Sequence, residues 1–159
     1  MPDLTAAVVT VSDSCTRGER EDKSGPAVVH LLESLHFSVA AREVVPDDPI
    51  KIQNLLIRLA REVRFIVTTG GTGIAARDVT PDATAAVCDR LLDGVAERMR
   101  LEGAKKTKFA ALSRGLCGTR GKALILNVPG SPAGAVESLQ AVADLIPHAI
   151  DLLSGKTEH

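Results

Sequence analysis

The chain has 159 residues, 45% of them hydrophobic and 25% charged, and a formal net charge of -1; these values exclude a disordered chain and fit one domain, residues 1–159. With no Trp, no Tyr and three Phe, it lacks the stacking aromatics and the positive charge of a nucleic-acid binder. No basic-then-apolar leader and no apolar run near the roughly 20 residues of a membrane span is present, so a cytoplasmic protein with no membrane partner is expected.

Residues 4–12 are an almost continuous apolar and β-branched run, as expected of a parallel strand covered on both faces. A polar turn over 12–25 leads to a helix over 26–36, with Val28, Leu31, Leu32 and Leu35 on one stripe. Residues 37–45 read as a second strand. A second helix over 49–63 places Ile52, Leu55, Leu56, Leu59 and Val63 on one face, and 65–69 forms the third strand. A third helix is expected over 81–92, broken by Gly94, with another over 95–103 and a short strand or turn over 109–114. The last strand, 123–128, runs into a helix reaching about 153 with a bend near Pro147, and the tail 155–159 is expected to be loose.

Helices open on Gly25-Pro26, Asp48-Pro49, Thr80-Pro81 and Ser131-Pro132, each a capping-type residue before a proline suited to the first helical position. Strand, polar turn and Pro-started helix repeat along the chain. That pattern implies an α/β, three-layer domain with a mostly parallel sheet and helices on both faces.

The densest punctuation, residues 68–84, follows the third strand. Gly70, Gly71, Thr72 and Gly73 let the backbone take positive φ, approach a ligand closely and turn successive N–H groups toward phosphate oxygens. No Gly-Lys-Ser/Thr follows, so this is not a P-loop. The match of residues 71–76 to G-x-G-x-x-A is weak for a nicotinamide site, because Pro81 interrupts the helix and residues 88–93 look helical where an acidic strand end is needed. Arg77-Asp78 precedes the expected cap Thr80, and Asp82 suits the helix dipole in the first turn. A carboxylate beside a phosphate nest repels the ligand unless a cation bridges them, which makes Asp78 a candidate magnesium ligand.

After the second strand, Asp48 serves as the cap before Pro49, which leaves Asp47 as a candidate second carboxylate. Ser12-Asp13-Ser14 and the run from Pro129 through Gly130 and Ser131 to Pro132 bring hydroxyls and N–H groups to two further strand ends, and Ser113-Arg114 offers a fixed positive charge. Between Arg98 and Lys122 eight basic residues face one acidic residue, readable as an electropositive lip or as a solvated face. Cys15, Cys88 and Cys117 are too far apart in sequence for a zinc motif or a disulfide framework and are expected to be reduced and buried.

Taken together, Ser12-Asp13-Ser14, Pro46-Asp47, residues 68–84, Leu112-Ser113-Arg114 and residues 127–132 resemble the MogA/MoaB family of molybdenum cofactor biosynthesis, which includes the gephyrin-type G domains. The likeness is closer to the MogA branch and covers nearly the whole chain. It implies molybdopterin adenylyltransferase activity, with ATP and molybdopterin as substrates, Mg2+, a homotrimer and handover to a molybdenum-insertion enzyme. It implies Asp47 and Asp78 as catalytic and metal-holding residues. Ser12, Asp13, Gly70, Gly71, Thr72, Gly73, Arg77, Asp82, Ser113, Arg114, Pro129, Gly130 and Ser131 are the implied binding set. The alternative is a non-catalytic trimeric molybdopterin-binding or scaffold module.

Overall fold

The computed structural model describes residues 3–156; of the tail expected to be loose, residues 157–159 lie outside them. Strands β1 (Thr5–Val11), β2 (Ser38–Val45), β3 (Phe65–Thr69), β4 (Arg90–Leu91), β5 (Cys117–Arg120) and β6 (Ala123–Val128) form one sheet in the order β2-β1-β3-β6-β5-β4. The first four in that order pair in parallel, and β5 and β4 extend the sheet antiparallel beyond β6. The expected mostly parallel sheet is therefore observed, with a hairpin extension.

Helices are α1 (Asp13–Thr16), α2 (Ser24–Ser34), α3 (Pro49–Glu62), α4 (Thr80–Val87), α5 (Asp93–Ala104), α6 (Pro132–Val142) and α7 (Ile146–Leu153). The side-chain alternation of a strand divides the core in two. Ala6 and Val8 of β1 join Val28 and Leu32 of α2, Leu139 of α6 and Ile150 of α7 on one face, while Ala7 and Val9 join Ile52, Leu56 and Leu59 of α3 and Ala83 of α4 on the other. Both amphipathic stripes read from the sequence are thus the buried ones. Each of these fully buried Leu and Ile side chains contributes about 1.5–3 kcal/mol relative to exposure. None of the described helices is long and apolar enough to cross a membrane.

Several expected boundaries shift, each for a local reason. The helix expected over 81–92 ends at Val87, because the Arg120 guanidinium takes the Val87 carbonyl and the chain then pairs with β5 through Asp89 N to Thr119 O and Leu92 N to Cys117 O. Residues 88–92 are accordingly not helical and contain β4, and α5 starts at Asp93. Gly94 sits inside the first turn of α5 and breaks nothing. The segment expected as strand or turn over 109–114 is a 3-10 helix, Lys108–Leu112, capped by the Thr107 side chain accepting from Phe109 N. The last helix is interrupted by a 3-10 turn, Ala143–Leu145, and resumes with Pro147 in its first turn, close to the expected bend.

The helix expected to open at Pro26 begins at Ser24. Asp22 accepts from Gly25 N at 2.9 Å and from Thr10 Oγ1 at 2.8 Å, and the Ser24 hydroxyl meets that of Thr69 at 2.9 Å. Of the cysteines only Cys117 is buried. Burial pushes its thiol up to about 12 and that of half-buried Cys88 up to about 11, so neither is a thiolate at neutral pH.

Candidate active site

The chain passes from β1 to β2 on one side and then returns to place β3 on the other side of β1, so the loops after β1 and β3 diverge. In open α/β sheets such a divergence makes a crevice at the strands' carboxyl ends. A cavity of about 590 Å³ occupies it, lined among others by Thr10, Ser12, Asp13, Asp47, Thr69, Gly70, Gly71, Arg77, Asp78, Gly130 and Ser131.

Two carboxylates in this cavity are locked to each other's backbone. Asp47 N donates to Asp13 Oδ1 at 2.8 Å, and Asp13 N donates to Asp47 Oδ2 at 3.1 Å. This reciprocal pair ties the loop after β1 to the loop after β2. Burial raises the Asp47 carboxyl above its ordinary value; the Asp13 N–H opposes this, the Asp13 charge adds to it, Arg77 opposes and Asp78 adds. Asp48 is committed elsewhere: its Oδ1 accepts from Ile50 N and Lys51 N at 3.0 Å as the cap of α3. Asp48 is thus the cap expected from the sequence, and Asp47 is the one of the pair that lines the cavity.

The glycine loop is shaped by close approach as well as by φ. Gly70 has φ +93, and a Cβ there would lie 2.5 Å from the Val11 carbonyl oxygen; Gly71 has φ +65. L side chains are strained at both positions. A Cβ on Gly130 would lie 3.3 Å from Gly70 Cα, so the loops after β3 and β6 touch backbone to backbone. Asp78 turns back on the loop, its Oδ2 accepting from Ala75 N at 3.0 Å, where a Cβ on Gly73 would sit 2.8 Å from it.

Beneath the loop lies a buried polar network. Asn127 Nδ2 donates to Thr68 Oγ1 and to Thr84 Oγ1, its Oδ1 accepts from Leu116 N, and Thr84 Oγ1 donates to the Thr80 carbonyl. Such a network holds one loop geometry because each broken bond would leave a buried polar group unpaired. Thr80 is not the side-chain cap expected from the sequence: it is the first residue of α4, Val79 precedes it, and no side chain caps that end.

Thr72, Gly73, Ser113, Pro129 and Ser131 line a second cavity of about 610 Å³, walled by α5, the 3-10 helix and α6. Its lining is more apolar, with Met99, Phe109, Ala110 and Leu112, and it carries Arg100, Lys106 and Glu137. Ser131 borders both cavities, and the glycine loop runs between them.

Asp82 and Arg114 line neither cavity. Arg114 Nε donates to Gly73 O at 2.8 Å, its terminal nitrogens reach Asp78 O and both oxygens of Asp82, and its backbone N donates to Thr72 O. Arg114 is therefore a clamp on the glycine loop, and Asp82 is its counter-ion. The remaining basic residues of the 98–122 stretch are also largely engaged: Arg98 with Asp144, Lys105 with Glu102, Lys106 with Glu137, and Arg100 with the Gly115 carbonyl. Arg100 and Lys106 are the two that border the second cavity.

Sequence reasoning missed Cys15, Arg20, Asp22 and Lys23, all of which line the first cavity. The available signal was Asp22 three residues before Gly25, where its carboxylate captures a free N–H at the start of α2.

A family model described as "probable molybdopterin binding domain" matches residues 7–148. The molybdopterin adenylyltransferase of Helicobacter pylori strain J99 is 40% identical over 162 residues, covering 98% of this chain and 90% of that protein; that of Escherichia coli K12 is 38% identical, covering 98% and 88%. The molybdenum cofactor synthesis protein cinnamon of Drosophila melanogaster is 41% identical over 96% of this chain, which spans only 26% of its length. The crystal structure of the molybdopterin biosynthesis enzyme MoaB from Thermus thermophilus superposes with a TM-score of 0.90 at 50% identity, covering 96% and 98% of the two chains. On the strength of this whole-length match in sequence and fold, the chain belongs to the MogA/MoaB family of molybdenum cofactor biosynthesis proteins.

Proposed function

We propose that this protein is a molybdopterin adenylyltransferase of molybdenum cofactor biosynthesis, forming adenylylated molybdopterin and pyrophosphate from molybdopterin and ATP. The observation that carries this reading is one glycine loop separating a carboxylate-lined cavity from a more apolar one, with Ser131 on the border of both. Two substrates can then meet end to end at their phosphates. Bacterial relatives named for this activity match over nearly their full length.

In the reaction an oxygen of the molybdopterin phosphate bonds to the α-phosphorus of ATP, and the bond from that phosphorus to the α–β bridging oxygen breaks. The attacking phosphate is already ionised near neutral pH, so no side chain has to remove a proton. The chain's task is to align the two phosphates and offset their charge. Backbone N–H groups of the Gly71–Gly73 turn and of Gly130 and Ser131 are suited to phosphate oxygens, whereas Gly70 N is spent on Val128 O, and Arg77, Arg20 and Lys23 bring positive charge to the cavity wall.

Asp47 and Asp78 are the residues that would hold magnesium. The donor chemistry fits: both are oxygen ligands, and Asp47 lies among like charges that a cation would relieve. Among the described residues no group of three His, Cys, Asp or Glu side chains is arranged to hold a metal alone, and magnesium commonly takes one or two carboxylates together with substrate phosphates and water. When bound, the ion would neutralise charge on the phosphates. A homotrimer, a cytoplasmic location and handover of the product to a molybdenum-insertion enzyme complete the proposal, on the family resemblance.

Incubation of the purified protein with molybdopterin, ATP and magnesium should give adenylylated pterin and pyrophosphate. Asp78→Asn should lower turnover by about 10²–10³-fold, and its amide oxygen can still accept from Ala75 N, so the loop and much of the pterin affinity should persist. Tight pterin binding by the wild type without product would identify a binding module instead.

A further inference from the structure

Thr80 is fully buried, yet its Oγ1 is a buried side-chain oxygen with no hydrogen-bond partner, the one such atom among the described residues. Interior hydroxyls are almost always paired, because an unpaired one forfeits its hydration. The backbone groups of Thr80 are both engaged. Its backbone N donates to Gly71 O at 3.1 Å, and its carbonyl accepts from Thr84 Oγ1 at 2.8 Å. The unpaired oxygen faces Gly71. A Cβ placed on Gly71 would fall on Thr80 Oγ1 and would lie 3.2 Å from Asp47 Oδ1.

The hydroxyl and the carboxylate therefore border the same small space, which is open because residue 71 has no side chain. Asp47 Oδ2 is already held by Asp13 N, so Oδ1 is the oxygen with capacity to spare. A hydroxyl kept for folding would have its partner in the unliganded fold; this one does not.

We propose that Thr80 is a positioning residue for the transfer reaction: its hydroxyl donates to Asp47 Oδ1 when the Gly71 turn closes on bound substrate, fixing the direction of that carboxylate. The inference rests on the transferase reading above. No covalent bond changes at Thr80, and the proton stays on its oxygen.

Thr80→Val removes the hydroxyl at nearly constant shape, and Thr80→Ser keeps it. Without ligands, Thr80→Val should melt at the wild-type temperature or a few degrees above it, since it deletes an unpaired polar group. In calorimetry with α,β-methylene-ATP, the magnesium concentration for half-maximal binding should rise about threefold or more in Thr80→Val, and turnover should fall about tenfold or more. Thr80→Ser should stay within about threefold of wild type in both. A Thr80→Val protein that melts several degrees lower would give the hydroxyl a folding role and overturn the proposal. So would unchanged magnesium dependence and turnover, or a Thr80→Ser protein as impaired as Thr80→Val. If the wild type makes no product, the transferase reading fails by itself, and the melting and calorimetric comparisons still decide whether Thr80 acts on Asp47.

Discussion

The two halves of the sheet make unequal contributions to the two cavities. In the parallel half, β2-β1-β3-β6, every strand delivers its carboxyl end to the same edge, and the residues that follow are Ser12 and Asp13, Asp47, Gly70 and Gly71, and Gly130 and Ser131. In the antiparallel half, β5 and β4 send no residue into the carboxylate-lined cavity; the chain that joins β4 to β5, through α5 and the 3-10 helix, walls the apolar one. Parallel connections force each loop to start from one edge, so polar groups gather there without further design. The β5–β6 hairpin returns the chain at once, so the wall comes from the helices that join β4 to β5.

The largest test of this contrast is one substitution made in each half. Gly70→Ala puts a Cβ at φ +93 and 2.5 Å from Val11 O; it should cost about 2–4 kcal/mol in denaturant unfolding and lower turnover about 100-fold by displacing the loop. Gly118→Ala, on β5, drives a Cβ onto Cys88 Sγ and to 3.0 Å from Arg90 O, at a cost of about 1–3 kcal/mol. Turnover per folded molecule should stay within about twofold. Equal losses of turnover in both would mean that the extension is part of the catalytic machinery.

The same contrast governs what the sequence reveals. Stripes such as Val28/Leu32 and Ile52/Leu56/Leu59 are set by contacts one helical turn apart, so periodicity exposes them. Asp47 is separable from Asp48 because capping is local, within three residues. Strands β5 and β4 are four and two residues long, contain Gly118 and no alternating pattern, and exist only because β6 pairs with β5 across the Gly121 turn. The anchoring of Asp22 by Thr10, and of Ser24 by Thr69, spans 12 and 45 residues and leaves no trace in composition. Arg114 was legible as a charge but not as a clamp, since its partners lie 32 to 41 residues away.

Arg114 is also where the halves are joined, and removing it has the next largest effect. Its guanidinium bonds go to the Gly73 and Asp78 carbonyls and to Asp82, so Arg114→Ala should cost about 2 kcal/mol, most of it from the lost carbonyl bonds and little from the half-exposed ion pair. Turnover should fall about tenfold as the glycine loop loosens. Calorimetry should show pterin affinity falling less than stability does. A large loss of affinity with no loss of stability would return Arg114 to the role of a direct anion contact.

The smallest effect separates charge from shape within the parallel half. Burial, with Asp13 and Asp78 nearby, raises the Asp47 carboxyl above its ordinary value of 3.8, against the opposing Asp13 N–H and Arg77. An acid whose pKa is raised by folding binds its proton more tightly in the folded state. Its stabilising contribution is full below 3.8 and is lost as pH rises through the raised value. At pH 7 the ionised Asp47 therefore weakens the protein without ligands. Asp47→Asn keeps an acceptor for Asp13 N and deletes the charge, so it should raise the melting temperature at pH 7 by about 1–2 °C, a gain kept small by the partial exposure of the site. The gain should shrink as pH falls through the raised value, where the wild-type side chain also becomes neutral, while turnover at pH 7 collapses. Stability and activity moving in opposite directions would mark Asp47 as held against its electrostatic preference for a positive ligand. A variant that melts lower than wild type at pH 7 would show instead that Arg77 already satisfies the charge, leaving Asp47 to join two loops and Asp78 to face the cation without it.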